Sequence, residues 1–112
     1  MQRDSVVVAF DKISGFAEAM SLIRARFKVA GIYIFGSHAR GHGGPESDLD
    51  ICVLLDDSKV RPVDAMREIR MALDDILRMP LDIIVYQKEL FYERRDAGGS
   101  LERAIEREGI AV

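Results

Sequence analysis

The sequence predicts an α+β (mixed α/β) domain: a small mixed sheet with helices packed on one face. Three observations predict it. Apolar residues at helical spacing alternate along the chain with short β-branched and apolar runs. Glycines and prolines fall between those segments and not inside them. The 112 residues, 48% of them hydrophobic, suit one core, so residues 1–112 are read as a single domain.

The elements follow in order. Val6-Val7-Val8 reads as a short strand or as the first turns of a helix. Phe16, Ala19, Met20, Ile23 and Phe27 repeat at three and four residues, which is one helix face. Gly31 is the expected stop of that helix. Ile32 to Phe35 is a compact strand. His38 to Ser47 holds Gly41, Gly43, Gly44 and Pro45, which is loop chemistry, with a helical turn at His38 to Arg40. Asp48 to Leu55 reads as a second strand. Pro62 opens a helix whose buried face is Met66, Ile69, Leu73, Ile76 and Leu77, and Pro80 closes it. Leu81 to Tyr86 is the third strand and Lys88 to Arg95 a short helix. Ser100 is the expected N-cap of a last helix that stops at Gly109, and Ile110 to Val112 can add an edge strand.

Composition narrows the function. The net charge of -3 and the absence of a basic excess (16 Lys and Arg against 19 Asp and Glu) argue against long nucleic acid as partner. They do not argue against a single nucleotide, whose charge metal ions can meet. No apolar run approaches a membrane span, and Asp4 precedes an apolar stretch too short for a signal peptide. The lone Cys52 allows no internal disulfide and reads as a small core residue, so a cytoplasmic protein is expected.

Chemistry concentrates between Gly36 and Asp50. Asp48 and Asp50 are two apart in the second strand, so both carboxylates leave the same face, while Ile51, Val53 and Leu55 leave the other. Asp82 opposes Leu81, Ile83 and Val85 in the third strand and joins the pair if the two strands are neighbours. Three carboxylates about 5 Å apart repel by ~3 kcal/mol per pair at an effective dielectric near 20, so they need a cation or a proton. Carboxylate oxygens suit Mg²⁺, and two such ions can clamp the attacking and leaving oxygens of a phosphoryl displacement. Gly36-Ser37 lets backbone approach a phosphate, and Arg40 can pair with phosphate oxygens as a planar fork. Gly-Ser or Asp-x-Asp alone says little; together, with ten residues between Ser37 and Asp48 and followed by a strand aspartate, they are specific. His38 and His42 read as loop residues without a metal role.

At these residues the chain resembles the polymerase-beta-like nucleotidyltransferase superfamily, and within it the minimal nucleotidyltransferase (MNT) branch. Gly36-Ser37-His38-Ala39-Arg40-Gly41, Ser47-Asp48-Leu49-Asp50, Leu81 to Val85 and the closing Ile105 to Ile110 carry the resemblance. It implies Asp48 and Asp50 as ligands of the catalytic Mg²⁺ ions and Asp82 as the third carboxylate, binding metal or activating the attacking hydroxyl. It implies Gly36 and Ser37 as holders of the NTP phosphates, with ATP the expected NTP. It further implies the antitoxin of a HEPN/MNT toxin–antitoxin pair, which adds AMP to a tyrosine of a HEPN-domain ribonuclease in a hetero-oligomer. Two other functions stay open. One is a binding antitoxin that acts by occlusion; the other is a small-molecule nucleotidyltransferase of the aminoglycoside type.

Overall fold

The computed structural model describes residues 13–42, 44 and 47–112. The Val6-Val7-Val8 segment lies outside them. Helix α1 (Phe16–Arg26) buries Phe16, Ala19, Met20 and Ile23, the face that the three-and-four spacing marks. It ends at Phe27, whose N–H donates to the Ile23 carbonyl, and not at Gly31. Gly31 instead lies inside strand β1 (Val29–Phe35), where the pairing register shifts between Val29 and Gly31. Glycine tolerates that local distortion of the ladder better than it stops a helix already capped four residues earlier.

A single helical turn, α2 (Gly36–Ala39), follows β1 directly. Strand β2 (Leu49–Leu55) then runs antiparallel to β1. Helix α3 (Pro62–Asp74) opens with proline at its first position and buries Ala65, Ile69 and Leu73. Strand β3 (Leu81–Gln87) pairs parallel with β2, the outcome expected of a strand–helix–strand crossover. Helices α4 (Lys88–Asp96) and α5 (Ser100–Glu108) lead to the two-residue strand β4 (Ile110–Ala111). The sheet order is β3-β2-β1-β4.

Two apolar clusters lie on opposite faces of this sheet. Leu49, Ile51, Val53 and Leu55 of β2, Ile32 and Ile34 of β1 and Ile83 of β3 pack against α1 and α3. The alternate residues Cys52, Leu54 and Tyr86 pack against Phe91 of α4 and Ile105 of α5. The expectation of helices on one face is therefore met by α1 and α3, but α4 and α5 cover part of the other. The sequence of α4 hides this because Phe91 is its one buried residue, too few for a helical stripe.

Ser100 is not the cap of α5; Gly99 holds that position, and Ser100 is the first helical residue. The reason is Glu102. Its carboxylate folds back so close to Gly99 that a Cβ there would overlap Glu102 Oε1, and Tyr86 donates its hydroxyl proton to Glu102 Oε2 at 2.6 Å. Glu102 is thereby buried at 6% exposure with a partner, as a buried carboxylate must be.

Candidate active site

Period-two alternation positions the acids. Leu49 and Ile51 are fully buried against α1 and α3, so Asp50 between them leaves the opposite face. The parallel register sets Asp50 beside Asp82. The pairing that strand adjacency would require is thus present. Asp48 lies one residue before β2 and is exposed.

The electrostatics of Asp50 report this crowding. Burial raises its pKa first, the charges of Asp82 and Asp48 raise it further, and a side-chain hydrogen bond with Asp82 adds to this; His38 opposes the rise. Asp50 and Asp82 are in contact, while Asp48 acts on Asp50 through its field. Among the described residues no three His, Cys, Asp or Glu side chains enclose a cation by themselves. Mg²⁺ is often held by one or two carboxylates with waters and substrate phosphates completing its shell. Two hard-oxygen ligands side by side, with a third at hand, fit that ion.

The turn after β1 closes on the same acid. Gly36 has φ 73°, and a Cβ there would overlap Asp50 Oδ2. Only glycine allows this backbone to lie against that carboxylate. Ser37 follows in α2, half-buried, and its carbonyl accepts from the His42 N–H at 2.9 Å. Arg40 is exposed at the C-cap of α2. Gly36, Asp50 and Asp82 are thus brought together, Ser37 is adjacent, and Arg40 stands one turn away.

Two neighbours escape a reading of the sequence. Phe35 pairs with Asp50 across β1 and β2 and joins the α4–α5 cluster, so it shares the acid's face. His38 lies in α2, within the helical turn expected at His38 to Arg40, and is half-buried with Nε2 3.3 Å from the Ser47 carbonyl oxygen. No signal in the sequence pairs either with its partner, because both contacts depend on register and turn geometry.

The model of the family described as nucleotidyltransferase domain matches residues 17–112. The chain belongs to this nucleotidyltransferase family. A Methanocaldococcus jannaschii protein described as a "putative protein adenylyltransferase" is 35% identical over 63 residues, 56% of this chain and 63% of that protein. The chain thus matches less than two-thirds of that relative's length. A chain of the toxin–antitoxin MntA–HpeT, crystallised in mutant form, superposes with a TM-score of 0.62 at 26% identity, covering 86% of this chain and 69% of that one. A chain of a toxin–antitoxin crystallised with AMP-PNP gives 0.53 at 25% identity, over 82% and 67%. A nucleotidyltransferase-type structure from Sulfolobus solfataricus gives 0.56 at 20% identity, over 99% and 86%, and shares the fold.

Proposed function

We propose that this chain transfers AMP from ATP to a hydroxyl of a partner protein, and that the partner is the HEPN-domain ribonuclease toxin of a toxin–antitoxin pair. The observation that carries the chemistry is the register that sets Asp50 beside Asp82 under the Gly36 turn. The adenylyltransferase and toxin–antitoxin relatives support the acceptor class, and the AMP-PNP structure supports the nucleotide.

In this reading Asp48, Asp50 and Asp82 hold Mg²⁺, two ions in the full site, and Gly36, Ser37 and Arg40 hold the triphosphate. When bound, the metal neutralises charge on the attacking and leaving oxygens. Asp82, exposed and next to Asp50, takes the proton of the acceptor hydroxyl. The hydroxyl oxygen forms a bond to the α-phosphorus, the bond from that phosphorus to the α–β bridging oxygen breaks, and pyrophosphate leaves. Ser37 and the backbone of the Gly36 turn orient the phosphates for in-line attack.

The test is incubation with ATP labelled at the α-phosphate, Mg²⁺ and a lysate containing the product of the neighbouring gene, beside an Asp48→Asn/Asp50→Asn control. A labelled protein band that vanishes in the control is expected. No label, with the partner still bound and inactive, refutes transfer and identifies a binding antitoxin.

A further inference from the structure

Asp48 stands outside the strand ladder that fixes Asp50 and Asp82. Its place depends on the two residues that flank it. On one side the Leu49 N–H donates to the Pro80 carbonyl at 2.9 Å. On the other, Ser47 bonds with Gly44, through Ser47 N to the Gly44 carbonyl at 3.1 Å and Gly44 N to Ser47 Oγ at 3.2 Å. Those two bonds are local and do not connect Ser47 to the rest of the fold. Among the described residues, the contact that does is His38 Nε2 with the Ser47 carbonyl oxygen at 3.3 Å.

We propose that His38 is a positioning residue, tying the backbone at Ser47 to α2 and so setting Asp48 in place beside Asp50. One end of the tie is firm: Ala39 next to His38 is buried in the core, and Gly36 of the same turn lies against Asp50. The other end is the peptide that precedes Asp48. A carbonyl oxygen only accepts, so Nε2 carries the proton and donates. What the position requires is a donor at that reach, and glutamine supplies one. The inference deepens the proposed function, because it takes Asp48 as a ligand.

The experiment compares wild type, His38→Ala and His38→Gln in three ways: Mn²⁺ affinity without nucleotide by calorimetry, tryptic cleavage after exposed Arg40, and the Mg²⁺ dependence of nucleotidyl transfer. Losing one net hydrogen bond should weaken Mn²⁺ binding of His38→Ala about fivefold and speed the cut after Arg40 by a similar factor. Its KM for Mg²⁺ should rise more than its kcat falls, and His38→Gln should restore all three. Unchanged Mn²⁺ affinity and cleavage in His38→Ala, with the fold retained by circular dichroism, would overturn the proposal. So would failure of His38→Gln to rescue. If wild type transfers no nucleotide the functional reading falls, whereas the cleavage and Mn²⁺ comparisons still decide the role of His38.

Discussion

At Asp50, function and stability pull in opposite directions. The carboxylate is half-buried, faces Asp82 and feels Asp48, and these together raise its pKa. A raised folded pKa means that proton uptake stabilises the fold below the ordinary carboxylate range, and that this contribution is lost as pH rises through the raised value. At neutral pH the metal-free protein carries the like-charge cost. Asp50→Asn is therefore expected to raise the melting temperature in EDTA. The same change should lower the transfer rate about a hundredfold or more, since several kcal/mol of charge stabilisation depend on the metal. Mg²⁺ should raise the melting temperature of wild type and leave that of Asp50→Asn unmoved. Gly36→Ala meets two obstacles, a left-handed backbone and overlap with Asp50 Oδ2. Its expected cost is about 2 kcal/mol or more, read from the denaturant midpoint.

Among the elements, those with strong periodicity were legible in the sequence: the face of α1, the start of α3 and all of β2 and β3 follow from apolar spacing and proline placement, whereas α3 ends at Asp74, so Ile76 and Leu77 lie beyond it and Pro80 does not close it. The Gly-Ser and Asp-x-Asp constellation was legible too, because period two assigns Asp50 and Asp82 their faces. What the sequence could not show is register. The contact of Phe35 with Asp50, of His38 with Ser47 and of Tyr86 with Glu102 joins residues whose own neighbours say nothing of the partner. Ser100 misled for the same reason, since Glu102 requires Gly99 beneath it. The Tyr86–Glu102 bond ties β3 to α5 and holds the second apolar cluster closed. Tyr86→Phe strands a buried carboxylate and is expected to cost ~1–3 kcal/mol in urea unfolding. Cys52, on the same face, has its thiol pushed up to about 12, chiefly by burial. Native protein at pH 8 should react with thiol reagents only as fast as it opens, and denaturant should remove the protection.

On the scale of the whole molecule, among the described residues α1 and α3 pack on one face of the sheet and α4 and α5 on part of the other, and Gly36, Asp50 and Asp82 meet at one end of the strands. An open groove lies on the α1–α3 side, lined by Arg26, Asp64, Arg67, Glu68, Met71 and Ala72. Its two arginines are balanced by two acids, so it offers no net charge to a triphosphate. No helix among the described residues is long and apolar enough to cross a membrane. The proposed role of Gly36, Asp50 and Asp82 is transfer of a nucleotide to a protein. The direct measurement is the intact mass of the purified partner after incubation with ATP and Mg²⁺, taken together with pyrophosphate release, for wild type and Asp50→Asn. Wild type is expected to add whole AMP units to the partner with one pyrophosphate released per unit, and the variant to do neither. An unmodified partner that wild type nonetheless neutralises, or equal modification by Asp50→Asn, would contradict that role.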